Sequence, residues 1–192
     1  ITEPHFTTPQ FNPFGLVNLL DYAHPSVADI DNDGDFDLIV GDYNGLQFFE
    51  NIGTINDPLF ATVQPFAFGI ISTGLYLASP TFTDLDNDGD FDLLIGDYFA
   101  ALQYYENLGT PTNPQFASAQ ENPFGLSSTN NFAYPAFADL DNDGDMDLLV
   151  GEFPGSMQYF ENTITVGIAE IERLNLDLYP NPVRNILNLE VE

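Results

Sequence analysis

The sequence has no cysteine, which removes disulfides, thiolate metal centres and thiol nucleophiles at once and leaves the redox compartment undetermined. Positive charge is almost as scarce. Arg173 and Arg184 are the only Lys or Arg residues, so residues 1–163 contain none. With a net charge of −28 and a pI near 4.1, nucleic acid is excluded as a partner, because its binding needs basic side chains to displace counterions. Direct attraction to anionic lipid fails on the same ground. No stretch approaches about 18 consecutive apolar residues, so direct membrane insertion by a helix is not expected. The two histidines, His5 and His24, have no companion Ser or Cys motif and read as strand or turn residues. No enzyme is expected. The first residue is Ile1 and not Met, which suggests a trimmed start from which a signal peptide has gone.

What the chain does hold is acid and apolar bulk. Thirty Asp and Glu residues stand beside 44 % apolar and 14 % aromatic residues, too much apolar material for an acidic disordered tail and enough for a folded core. The length suits one domain with an appendage.

The acid is concentrated and periodic. "DIDNDGDFDLIVGD" at residues 29–42 returns as "DLDNDGDFDLLIGD" at 84–97 and "DLDNDGDMDLLVGE" at 139–152, a spacing of 55 residues both times. Other landmarks keep step: Pro25, Pro80 and Pro135; the "FG" pairs at Phe14, Phe68 and Phe124; the "EN" pairs at Glu50, Glu106 and Glu161. Residues 1–163 therefore divide into three repeats, at about 4–57, 58–113 and 114–163, and residues 164–192 form a linker and a β-rich tail.

Within a repeat the local signals are those of strands. "FDLIVG" and "LQFFEN", separated by the turn sequence "DYNG", predict a hairpin. "HPSVAD" predicts a strand leading into the acidic loop, and "PHFTT" or its later equivalent "NPQFAS" a fourth. No window keeps apolar residues at helical spacing. The expected fold is all-β: three β-propeller-like blades of about 55 residues, each a small sheet that buries its faces against its neighbours. The apolar run "DLIV" suits an inner strand covered on both sides.

Five aspartates in nine positions need a counter-charge. Two carboxylates about 5 Å apart repel by roughly 3 kcal/mol at an effective dielectric of about 20, and the chain offers no basic side chain nearby. The pattern D-x-D-x-D-G-D-x-D places side-chain oxygens at positions one, three, five and nine, a turn-permitting glycine at six and a backbone carbonyl at seven, the oxygens that surround Ca²⁺. The expected ligands are Asp29, Asp31, Asp33, the carbonyl of Asp35, and Asp37; then Asp84, Asp86, Asp88, Asp90 and Asp92; then Asp139, Asp141, Asp143, Asp145 and Asp147. A helix-loop-helix calcium site would carry a bidentate Glu at position twelve, where this chain has Val40, Ile95 and Val150. Three Ca²⁺ sites between strands are expected, with the aspartate at position nine closing each. Mg²⁺ surrenders its water reluctantly and fits less well.

The residues "PFG", the proline before the loop, "DxDxDGDxDLLxG" and the aromatic-"EN" end together resemble FG-GAP/VCBS repeats, the calcium-binding blades of integrin-α-like propellers. That resemblance implies a β-propeller fold, calcium in the loops, and a role in adhesion, ligand binding or as a module beside secreted enzymes. In the tail, "LNLDLYPNPVRNILNLEVE" is similar to the start of the C-terminal sorting domain of bacterial type IX secretion, which implies a secreted or cell-surface protein.

Function is expected to follow from repetition. Carboxylate pairs that could serve a glycosidase are calcium ligands here, and the recurring "EN" pairs suit hydrogen bonds at strand ends. Three blades fall short of the four to eight of a usual ring, so either the chain is a fragment, or it completes its ring or stack with other chains, or the repeats adopt another arrangement; the second case suggests head-to-tail self-association into a homo-oligomer or polymeric fibre. The expected protein is a non-enzymatic calcium binder of the cell surface or extracellular matrix, acting in adhesion or self-assembly. The alternative is a carbohydrate-binding accessory module of a larger secreted enzyme. Tyr22, Tyr76, Asn130, Asn131 and Tyr134, in loops that differ between repeats, are the candidate contacts to a carbohydrate or protein ligand, with packing between blades as the alternative role.

Overall fold

A computed structural model describes residues 3–163 except 20, 44, 66, 71–74 and 128–130. The sorting-domain-like tail lies outside the described residues. Three antiparallel sheets follow one another along the chain. The first holds β1 (His24–Ala28), β2 (Asp37–Asp42), β3 (Gly45–Phe49) and β4 (Gln64–Pro65), in that spatial order. The second repeats it with β5 (Ser79–Thr83), β6 (Asp92–Gly96), β7 (Leu102–Tyr105) and β8 (Gln120–Glu121). The third has β9 (Tyr134–Ala138), β10 (Asp147–Gly151) and β11 (Met157–Phe160). No α-helix occurs among the described residues, so the all-β expectation stands.

The second strand of each sheet is an inner one and explains the apolar runs. Every residue of β2 and of β6 is buried. Register puts Ile39 opposite Ser26 and Phe48 on one face, and Val40 opposite Pro25 and Gln47 on the other. Alternate residues thus serve two neighbours. Ile39 and Leu46 on the downstream face of the first sheet join Leu93, Ile95 and Tyr105 of the second in one cluster. Leu94, Leu102 and Tyr104 of the second join Leu148 and Val150 of the third in the next.

The fourth strand departs from expectation. "NPQFAS" contributes only isolated bridges, Phe116 to Asn107, as Phe60 does to Asn51, and Asn113 to Thr110 within the turn, and the strand itself forms four residues after Phe116 at β8. "PHFTT" forms no strand. The cause is a hydrogen bond drawn elsewhere: the Phe60 N–H donates to the carbonyl of Phe14 (2.8 Å) and the Phe116 N–H to that of Phe68 (3.2 Å). These acceptors belong to the "FG" turns, in which Phe14, Phe68 and Phe124 adopt φ of 59°, 54° and 58°. A left-handed phenylalanine is costly, and at Phe68 the turn aims the ring into the core between the first two sheets, while Phe14 and Phe124 stay largely exposed. Phe68 sits 4.7 Å from Phe48 and Phe124 sits 5.0 Å from Tyr104, both edge-on.

Candidate metal centre

Each acidic loop joins the first and second strands of its sheet, so the strand pair fixes both of its ends. Inside it the chain curls through two left-handed residues, Asn32 (φ 55°) and Gly34 (99°), repeated at Asn87 and Gly89 and at Asn142 and Gly144. Asn tolerates this conformation and Gly is free in it. A Cβ on Gly34, Gly89 or Gly144 would meet nothing within 4 Å, so the requirement there is conformational and not steric.

The curl turns main-chain hydrogens onto the first aspartate. Asp29 accepts from the N–H of Asp33 (3.0 Å) and of Gly34 (3.1 Å). Asp84 accepts from Asp88 and Gly89, both at 3.1 Å, and Asp139 from Gly144 at 3.3 Å. The result in every repeat is a converging triad: Asp29, Asp31 and Asp33; Asp84, Asp86 and Asp88; Asp139, Asp141 and Asp143. One carboxylate oxygen from each member lies within 4.8 Å of the others.

The seventh-position aspartates were expected to act through their carbonyls, and their side chains prove to be buried as well. Asp35, Asp90 and Asp145 each carry a buried Oδ1 with no hydrogen-bond partner, as does Asp31, and Asp145 Oδ2 shares that state. An unsatisfied buried acceptor costs about 1–3 kcal/mol, more when charged. Burial, followed by the neighbouring aspartates, raises the pKa of Asp35, Asp90 and Asp145, and likewise of Asp31 and Asp141. A bound cation would reverse both penalties. The donor set is all hard oxygen, which fits Ca²⁺.

The ninth-position aspartates are set apart from the triads and take main-chain hydrogens. Asp37 accepts from Asn51 N–H (2.8 Å) and Ile30 N–H (3.4 Å). Asp92 accepts from Asn107 (2.8 Å) and Leu85 (3.4 Å), and Asp147 from Asn162 (2.9 Å) and Leu140 (3.2 Å). They tie the loop to the far end of the hairpin. Burial pushes Asp37 and Asp92 up to about 6, whereas the Asn162 N–H holds Asp147 below its ordinary value. Tyr104, which no sequence signal singles out, adds its hydroxyl to Asp92 at 2.8 Å. The "EN" asparagines do bond at strand ends: Asn51 Oδ1 accepts from Gly53 and Leu59, and Asn107 Oδ1 from Gly109 and Gln115.

An FG-GAP-like repeat matches the chain twice, over residues 29–95 and 84–150. The chain belongs to the FG-GAP-like repeat family. Each match starts on the first aspartate of one loop and runs through the whole of the next. No curated protein matches the chain. The three sheets are consistent with FG-GAP blades, and the three triads of this FG-GAP-like protein can bind metal ions such as Ca²⁺.

Of the variable-loop residues, those described lie at the hairpin end of the sheets, away from the acidic loops. Tyr76 contacts Tyr43 (ring centroids 4.4 Å apart) and Tyr98 (5.3 Å), and Tyr134 stacks on His24 at 5.3 Å. Tyr22 and Asn131 are exposed, and Asn130 lies outside the described residues.

Proposed function

We propose that this FG-GAP-like chain is a non-enzymatic protein that binds three Ca²⁺ ions and works outside the cell, at the cell surface or in an extracellular matrix, in adhesion or self-assembly. One observation carries the calcium reading: each repeat gathers three carboxylates and keeps a buried, unpartnered oxygen beside them, where the described chain has no Lys or Arg to answer. Extracellular-type calcium modules hold the ion with dissociation constants of about 0.1–1 mM, which suits a protein bathed in millimolar calcium. The sorting-domain-like tail supports export through type IX secretion. Repetition supports the non-enzymatic reading, since the acids that could serve catalysis recur three times as equivalents. Light scattering in calcium and in chelator tests it: growth of large species with calcium supports self-assembly. A monodisperse monomer that also fails to adhere to cells or matrix counts against the whole reading.

A second reading, the carbohydrate-binding accessory module, is favoured by a row of rings across the hairpin ends. Tyr43, Tyr76, Tyr98, Phe132 and Phe153 follow one another at centroid distances of 4.4, 5.3, 4.7 and 5.9 Å, and Phe153 is 60 % exposed. Aromatic faces and edges of this kind suit sugar rings. Retention on polysaccharide columns that Tyr43→Ala abolishes, with calcium binding intact, would favour this module over the assembly protein.

A further inference from the structure

The contact that joins one sheet to the next is built twice inside the chain. Where the first sheet meets the second, a Cβ on Gly41 would come 2.0 Å from the Ala78 carbonyl oxygen and 3.0 Å from Pro80 Cδ. Where the second meets the third, a Cβ on Gly96 would come 2.2 Å from the Ala133 oxygen. Only glycine permits these approaches. The flanking residues vanish from solvent: Leu46 and Phe48 are 5 % and 4 % exposed, Leu102 and Tyr104 are 0 % and 3 %, and Ala78 and Ala133 are 0 % and 1 %.

The third sheet carries the same downstream face; His24 of the first sheet stacks on Tyr134 at one corner of it, but the rest stays open. Met157 and Tyr159 stand where Leu46 and Phe48 stand in the first sheet, yet they are 76 % and 48 % exposed. A Cβ on Gly151 would meet only Tyr134 of its own sheet, at 3.8 Å. The first sheet carries the opposite half. Ala23 and Pro25 are exposed although their equivalents, Ala78 with Pro80 and Ala133 with Pro135, are buried. Val27 is 62 % exposed, and a cavity of about 420 Å³ opens beside Pro25, lined also by Leu16, Leu19, Val40 and Phe49.

We propose that a second copy of this chain supplies the missing half, so that Ala23 and Pro25 of one copy lie over Gly151 of the next, flanked by Met157 and Tyr159. This rests on the assembly reading above and names the surfaces that perform it. The registered face of the third sheet, with Tyr134, Ala136, Leu149, Gly151, Met157 and Tyr159, exposes no charged side chain, and Ala23, Pro25 and Val27 are uncharged too. In a chain of net charge −28, Asp21 is the one carboxylate lining the cavity beside Pro25, and it would meet no exposed charge on the face of the third sheet. The contact is heterologous, so each copy keeps one face of each kind and growth continues until a ring closes or a fibre extends.

Two variants test this, each altering one face at an exposed or open position. Gly151→Val places side-chain atoms where the partner's Ala23 carbonyl would lie, and Val27→Asp puts a charge on the opposite half. Sedimentation of the full chain in calcium should give large species for the unaltered protein and monomers for each variant, with calcium stoichiometry and melting temperature of the monomer unchanged. Mixing the two variants should restore association, but only as a one-to-one dimer, since each retains one sound face. Variants that still assemble, or a mixture that stays monomeric, would overturn the pairing of these faces while leaving assembly itself intact. An unaltered protein that remains monomeric at every concentration with calcium bound would instead remove the assembly reading on which the pairing rests.

Discussion

The Asn51 N–H donates to Asp37 Oδ1 at 2.8 Å across 14 residues of chain, and the same bond recurs from Asn107 to Asp92 and from Asn162 to Asp147. The last aspartate of the acidic loop and the asparagine that closes the hairpin are thereby one unit. In the second sheet that unit has a third member, the Tyr104 hydroxyl on Asp92, and in the third sheet the Tyr159 hydroxyl serves Asp147 likewise. The first sheet has Phe48 at this place. Tyr104→Phe should therefore fold normally and lose about 1 kcal/mol, a net hydrogen bond, or roughly 2–4 °C in melting temperature for a domain of this size. Asp92→Ala, which strips the acceptor from two main-chain donors as well, should cost at least twice as much; thermal melting of the pair checks the order.

Glycines at equivalent positions should respond unequally. Gly41→Ala and Gly96→Ala would bring the new Cβ to 2.0 and 2.2 Å from backbone oxygens, and should each destabilise by about 3 kcal/mol. Gly151→Ala, with its nearest neighbour at 3.8 Å, should change the stability of the monomer by less than about 0.5 kcal/mol. Denaturant unfolding at low protein concentration measures all three, and equal losses would contradict the stacking order of the sheets.

The triads should act as separate sites. Replacing Asp29 and Asp31 together by Asn, or Asp84 and Asp86, or Asp139 and Asp141, should lower the calcium count by one ion each time. At millimolar calcium each lost site should remove on the order of 0.5–1.5 kcal/mol. Isothermal titration calorimetry reads the stoichiometry, and a count that does not change for any pair would contradict the assignment.

Acid should act in opposite directions on the two forms. Burial lifts Asp37 and Asp92 to about 6 from an ordinary 3.8. Without metal, the folded chain then binds protons that the unfolded chain does not between about pH 4 and 6, so its stability is greatest at the acid end and is lost as pH rises through about 6. With calcium, protons compete for the ligands, and stability falls as pH drops through the same range. Melting temperatures with calcium and with chelator should lie far apart at neutral pH and converge on acidification; a constant gap would contradict this.

Much of the fold was legible because its signals are local. The hairpin of β2 and β3, the strand before the loop and the three acidic loops all show in the residues themselves, since short runs of β-branched and aromatic residues, turn chemistry and ligand spacing need no distant partner. The fourth strand was misplaced because Phe60 and Phe116 sit in a run of strand-like composition, yet their N–H groups go to Phe14 and Phe68, more than 40 residues back. The left-handed phenylalanines of the "FG" turns were visible only as a landmark, for no propensity scale favours them there. At the metal centre, positions one, three and five converge as their spacing predicts. The tethering of position nine to the hairpin end and the buried side chains at position seven depend on tertiary burial, which spacing cannot express.

The central claim is that divalent ions convert repelling carboxylates into the element that holds each sheet's loop in place. Calorimetric melting of the full chain, in millimolar calcium and again in excess chelator, with bound calcium counted in the same samples by native mass spectrometry, tests it most directly. Three ions per chain and a melting temperature that falls by several degrees on chelation are the predicted result. An ion-free chain that melts at the same temperature in both solutions would contradict it.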